Sequence, residues 1–300
     1  MDEGTLQRIR TSLEIAGDSC HNLVHMPIHR SLAATAYCIQ TEKQKYFIKV
    51  SEPGFHEWIQ CEYRGLRKLE ETRCVRIPMI ISYQEGDCGN SSLLLLEWIE
   101  NHPGGDMLGQ TKLGEQLASL HDTSEVIFNV KQFGLENDNY IGGNKQVNRW
   151  MANWPEFYIQ CRLIPQIELG IKQKLIQIEF QDQLMRLCHR IPNLLGSEIV
   201  TPALLHGDLW SGNVLFDEKN EPILIDPAVY FGVPEAELAF MELFGGFTPD
   251  FYSAYNSILP IPYGYKDRKN LYNLYHLLNH LNLFGTTYLR QAQRCCAYYL

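Results

Sequence analysis

The sequence predicts an α+β fold in two lobes, a small β-rich lobe over residues 1–100 and a larger, mainly helical lobe over 101–300. Three observations carry this. Two β-like stretches, AYCIQ from Ala36 and KYFIKV from Lys45, flank the polar turn Thr41 to Gln44. The run Leu93 to Ile99 is too continuously apolar for a surface strand. After it NHPGGDMLGQ is dense in turn formers, and helical patterns dominate beyond. A chain of 300 residues also suits two lobes around a cleft better than one core.

In chain order, Leu6, Ile9 and Leu13 recur at helical spacing, so an amphipathic helix opens the chain and stops near Gly17. The hairpin strands follow. From Phe55 to Leu69 the period turns helical, with Ile59, Leu66 and Leu69 as the buried stripe. Strands near Ile80 and over Leu93 to Ile99 complete the first lobe, and Glu97 to Asn101 form the connector. Helices are expected over Thr111 to Leu120, Asn148 to Leu169 and Lys172 to His189. Asn213 to Phe216 and Pro222 to Ile225 read as a hairpin around Asp217 to Asn220, and helices return after Pro234.

A net charge of −9 argues against nucleic acid, whose binding draws on Lys and Arg, but leaves room for a small anion held by a few cations. Nine cysteines, from Cys20 to Cys296, show no metal or redox spacing and fit reduced thiols in a cytoplasmic protein. The first twenty residues lack the basic start and apolar core of a signal peptide. The longest apolar runs fall far short of the ~18 residues of a membrane span, so no membrane partner is expected.

The informative stretch is LLHGDLWSGNVLFDEKNEPILIDPAVYFG. It sets Asp208, then Asn213 five residues on, then Asp226 after a second short strand, much as protein kinases order H-R-D-x-x-x-x-N and D-F-G. The chemistry explains the order. One carboxylate must meet an acceptor hydroxyl, while an amide oxygen and a second carboxylate hold magnesium against phosphates. His206 is assigned to holding the loop. In the first lobe Lys49 ends a strand and Glu62 lies on the next helix, the lysine–glutamate pair that positions ATP phosphates. Glu57 competes for the partner role. Glu97, Trp98 and Ile99 fall where the connector would offer backbone groups to adenine.

At these residues the chain resembles the fructosamine kinase (ketosamine-3-kinase) family, relatives of aminoglycoside and choline phosphotransferases in the protein-kinase-like superfamily. HGDLWSGN with Asp226-Pro227-Ala228, the stretch Asp138 to Leu163, ELFGGF from Glu242 and LYHLLNHLNLFG from Leu274 carry the resemblance over nearly the whole chain. It implies an ATP- and magnesium-dependent kinase that phosphorylates a ketosamine, a small glycated amine, at O3 and so promotes deglycation. On that reading Asp208 is the base, Asn213 and Asp226 hold magnesium, and Lys49 with Glu62 positions the phosphates. Trp210 would pack its flat face on the sugar. A choline- or aminoglycoside-type phosphotransferase and a nucleotide-binding pseudokinase are the competing readings.

One stretch departs from the family pattern. Met26 to Ala33, MPIHRSLA, lies between the first strands where the family usually has a glycine pair, and contains no glycine. His276 and His280, four apart on a helix, are read as packing rather than metal ligands. The aromatics from Trp150 to Tyr158 are read mostly as helix packing. Neither oligomeric state nor amine carrier has a sequence signal.

Overall fold

The computed structural model describes residues 1–18, 23–87, 90–196 and 200–300, so Cys20 and Cys88 lie outside the described residues. Helix α1 (Glu3–Ile15) starts at Asp2, whose carboxylate accepts from Thr5 N at 2.9 Å. Strands β1 (Val24–Arg30), β2 (Ala34–Gln40), β3 (Lys45–Ser51), β4 (Ile80–Gln84) and β5 (Leu93–Glu97) form one antiparallel sheet in the order β1-β2-β3-β5-β4. Helix α2 (His56–Thr72) crosses between β3 and β4.

The apolar run of β5 is explained by burial on both faces. Leu93 and Leu95 pack with Ile9 and Leu13 of α1, while Leu94 and Leu96 join Ile59, Leu66 and Leu69 of α2 in the main core. Strand β1 shows where the sequence misleads. Met26 to Arg30, read as loop, is an edge strand, and an edge tolerates the missing N–H of Pro27.

The second lobe is built on α3 (Met107–Phe128), with a small hairpin β6 (Asn139–Ile141) and β7 (Asn144–Gln146) beside it. The helix expected from Asn148 starts at Trp154. Before it, Met151 bridges Phe133, and Asn153 caps Glu156 N at 3.0 Å with Pro155 in the first turn. From there α4 (Trp154–Phe157), a π turn (Tyr158–Leu163) and α5 (Ile164–Lys172) run on continuously. Pro165 has no N–H to return to Cys161, and Arg162 Nη1 donates to that carbonyl instead at 2.9 Å. A turn with Lys174 at φ 62° separates this unit from α6 (Ile178–Leu195), which the periodicity placed six residues early.

Strand β8 (Ala203–Leu205) leads into a 3₁₀ turn (Ser211–Asn213), the hairpin β9 (Val214–Phe216) and β10 (Pro222–Leu224), then β11 (Tyr230–Gly232), which pairs back onto β8. Helices α7 (Pro234–Phe244), α8 (Pro249–Ile258), α9 (Tyr265–Phe284) and α10 (Leu289–Tyr298) finish the chain. His276 stacks on Phe240 with centroids 3.7 Å apart, and His280 Nδ1 lies 2.8 Å from His276 O, so both pack as read. Trp154, Phe157 and Tyr158 are buried together in the core. The seven described cysteines are free thiols. Among the described residues no helix is long and apolar enough to cross a membrane.

Candidate active site

Lys49 lies on β3 with its neighbours Ala36 on β2 and Leu94 on β5. Its Nζ reaches both carboxylate oxygens of Glu62 at 2.8 Å and Oδ1 of Asp226 at 2.6 Å. Glu62 falls on the α2 stripe with Ile59, Leu66 and Leu69, which turns it inward, whereas Glu57 accepts from Tyr140 OH at 3.1 Å. Burial opposes the charge on Lys49, but Asp226 and Glu62 outweigh it and hold its pKa above the usual value. Burial would raise Asp226 too, yet the lysine wins and keeps that carboxyl low. One cation thus serves two carboxylates, and Glu62 is the one that burial pushes up.

The loop from His206 to Asn213 is held by its neighbours. His206 is buried; its Nε2 donates to Ile225 O at 2.9 Å, while Asp208 N donates to its Nδ1 at 3.3 Å. Gly207 sits at φ +83°, and a Cβ there would come within 2.1 Å of Ala228 O, so no other residue fits. Asn213 Nδ2 donates to Asp208 O at 2.8 Å, which leaves the amide oxygen as the group to offer a ligand. Ile225 N donates to Asn213 O at 3.1 Å, and Asp226 follows in the left-handed region at φ 55°. Burial, then the charge of Asp226, pushes Asp208 up to about 7, with the Asn213 bond opposing.

All six of Lys49, Glu62, Asp208, Trp210, Asn213 and Asp226 line one cavity of about 570 Å³. Glu97, Trp98 and Ile99 line a neighbouring one of about 320 Å³, with Phe47, Leu96 and Leu215 on its walls. The two cavities share Glu62 and Asp226. Trp210 is 42% exposed and so is not buried loop support. The Glu97 carboxylate is already engaged, by Arg76 Nη2 at 2.9 Å and Met79 N at 3.0 Å, and its own N–H donates to Met79 O at 2.9 Å, so its carbonyl is the backbone group left to offer a ligand.

Several supporting residues gave no signal in the sequence reading. Glu237 on α7 is buried; its Oε1 accepts from Gly207 N at 2.7 Å and its Oε2 from His206 N at 3.1 Å, with His121 Nε2 3.0 Å away. Gln146 Nε2 donates to Ala228 O at 2.9 Å, and Asn139 Nδ2 to Val229 O at 2.9 Å. Asn148 and Tyr275 complete this buried network, bonding Asn139 Oδ1 and Gln146 Oε1 at 2.8 Å. It fixes the backbone that follows Asp226-Pro227. Gly65 of α2 packs on the same segment, where a Cβ would meet Pro227 Cγ at 3.0 Å.

A small antiparallel sheet on a helical lobe, with a lysine–glutamate pair above Asp208, Asn213 and Asp226, defines a phosphotransferase of the protein-kinase-like class. The profile of the fructosamine kinase family matches residues 7–300, and the chain belongs to that family. It is 38% identical to a probable ketoamine kinase of Vibrio parahaemolyticus, the alignment covering 86% of each chain. It is 35% identical to a chloroplastic protein-ribulosamine 3-kinase of Arabidopsis thaliana, over all of this chain and 86% of that one. A putative fructosamine-3-kinase structure from Thermobifida fusca superposes with a TM-score of 0.84 at 26% identity, covering 96% of both chains. A choline kinase from Streptococcus pneumoniae, at 14% identity and a TM-score of 0.65, shares the fold, over 99% of this chain and all of that one.

Proposed function

We propose that this enzyme transfers the γ-phosphate of ATP to O3 of a ketosamine of the fructosamine or ribulosamine type, so that the unstable phospho-adduct frees its amine. The observation that carries the reading is the convergence of Lys49, Asp208, Asn213 and Asp226 on one cavity in a chain of this family. Residues 1–100 would hold the nucleotide and 101–300 the catalytic loop and acceptor. Adenine would lie in the smaller cavity against the backbone of Glu97, Trp98 and Ile99.

Asp208 accepts the proton of the acceptor hydroxyl as its oxygen attacks phosphorus and ADP leaves. Lys49, steered by Glu62, holds the phosphates. Trp210 offers its exposed ring to the C–H face of the sugar. Asn213 and Asp226 fit magnesium, since both present hard oxygens and the Asn213 nitrogen is committed elsewhere. Bound there, the ion would offset phosphate charge. With every described cysteine a free thiol, the cytoplasm is the proposed setting.

The test offers ribulose-lysine and fructose-lysine beside choline and an aminoglycoside, then locates the phosphate by NMR. Phosphate on O3 of a ketosamine supports the reading. Turnover confined to choline or the aminoglycoside, or none with any acceptor, overturns it.

A further inference from the structure

The turn between β1 and β2 is where a kinase-like lobe would close backbone amides over the phosphates, and here it lacks glycine. Its amides are also in use. Ser31 Oγ accepts from Ala33 N at 3.3 Å and Ala34 N at 3.1 Å, and Ser31 N donates to Ala34 O at 2.9 Å. Three N–H groups that could face an anion are therefore spent within the turn. With those three spent, a nearby side chain is a candidate to meet the phosphates from above.

The strand before the turn supplies a candidate through its register. Pro27 stands opposite Tyr37 and His29 opposite Ala36, so one extra residue, Ile28, is inserted between them. Such a bulge re-aims the side chains around it. Ile28 lines the smaller cavity with Phe47 and Trp98, and His29 lines the larger one with Lys49, Asp208 and Asp226. The row His29, Ala36, Lys49 runs straight across three strands on the cleft face. His29 and Lys49 are thus two strands apart, about 10 Å at Cα, with only the methyl of Ala36 between them. Arg30, the neighbouring cation, is not available. It faces the other side, where its Nε pairs with Glu52 at 3.4 Å and Thr35 Oγ1 donates to the same carboxylate at 2.9 Å.

We propose that His29 is a phosphate-binding residue, its imidazole N–H donating to a β- or γ-phosphate oxygen opposite Lys49 in place of glycine-loop amides. The proposal rests on the reading of the site as an ATP site. No covalent step is involved, and the ring acts as a hydrogen-bond donor.

The test uses calorimetric binding of ATP, ADP and adenosine to the full chain and to His29→Ala, His29→Phe and His29→Gln, with steady-state kinetics on the ketosamine. Because His29 is exposed, the variants should melt with the wild type. His29→Ala and His29→Phe should bind ATP and ADP about 10- to 150-fold more weakly, the worth of one hydrogen bond to a charged group. Adenosine binding should not change, and His29→Gln, which keeps an N–H, should recover most of the loss. Equal ATP affinity in wild type and His29→Ala, or an equal loss for adenosine, overturns the proposal, as does a Gln variant no better than Phe. A wild type that turns over ketosamine while His29→Ala is unchanged sinks this inference alone. A wild type that binds no ATP sinks the kinase reading and this inference with it.

Discussion

Glu237 is the strongest test of how the loop carrying Asp208 is held. Its carboxylate is buried on α7 and receives Gly207 N at 2.7 Å, His206 N at 3.1 Å and the ring of His121 at 3.0 Å. Glu237→Leu would leave two backbone N–H groups and one imidazole nitrogen buried without acceptors. At about 1–3 kcal/mol for each orphaned group, with incomplete additivity, the loss is about 3–6 kcal/mol. At about 2 °C per kcal/mol for a chain of this size, Tm should fall by about 6–12 °C. Turnover should fall further than the folded fraction, because the loop that carries Asp208 loses its anchor. Burial would raise the Glu237 pKa, but the bond and charge of His121 and the charge of His206 outweigh it and set it below the usual value. A carboxyl lowered on folding stabilises above its unfolded pKa of about 4.3 and loses that contribution as pH falls through the folded value. Wild type should therefore lose stability more steeply below pH ~4 than Glu237→Gln, which has no charge to lose. Thermal unfolding from pH 3 to 7, with kcat at neutral pH, measures both. A Leu variant with unchanged Tm and unchanged kcat would refute the reasoning.

Lys49→Met should abolish most turnover and Glu62→Gln should reduce it less, while Glu57→Gln, whose carboxylate accepts from Tyr140 OH rather than Lys49, should be near neutral in the same kinetic assay. Asp226→Ala should remove magnesium-dependent turnover with a melting profile close to wild type, since its side chain is 47% exposed; retained activity in a magnesium titration would displace the metal assignment. Trp210→Ala should raise the ketosamine KM with little effect on ATP binding, and the reverse pattern in initial-rate data would move the ring to the nucleotide side. Asp208→Asn should lower kcat by about 10²- to 10⁴-fold, read by single-turnover chemistry, with the fold kept by the His206 and Glu237 bonds to the loop backbone.

The sheet hairpin, α1, α2 and the buried β5 were legible because each has a clean period or an uninterrupted apolar run. Glu62 was separable from Glu57 for the same reason, being in phase with Leu66 and Leu69. Short-range geometry carried the catalytic loop as well, since Asp208, Asn213 and Asp226 are brought together by a turn and one hairpin. Edge strand β1 was illegible because Pro27 and two histidines break every strand signal, and only pairing with β2 makes it a strand. The first helical turn before Trp154 was misplaced because Asn148 to Met151 are apolar and polar in helical phase, yet their backbone is claimed by Phe133, Leu135 and Asp138.

The residues missed altogether share one property: they act through partners far away in sequence. Glu237 is 30 residues from Gly207, and Gln146 is 82 from the Ala228 carbonyl that it holds. A buried polar group has no period, because what fixes it is the unsatisfied partner, not the face of its own helix. Arg162 is the extreme case. It is 0% exposed and forms no ion pair among the described residues; carbonyls of Val147 and Cys161 and the amide of Asn148 receive its donors, with the Tyr230 ring 3.8 Å away. Such a charge tolerates burial only where several acceptors and an aromatic face converge. The proline that breaks the helical ladder after it, Pro165, and the amides that bond the backbone behind Asp226, are therefore parts of one arrangement. The Asp138 to Leu163 stretch builds the floor on which the Asp226 segment rests, and its Tyr140, Gly142 and Gly143 also line the larger cavity beside Asp208 and Trp210.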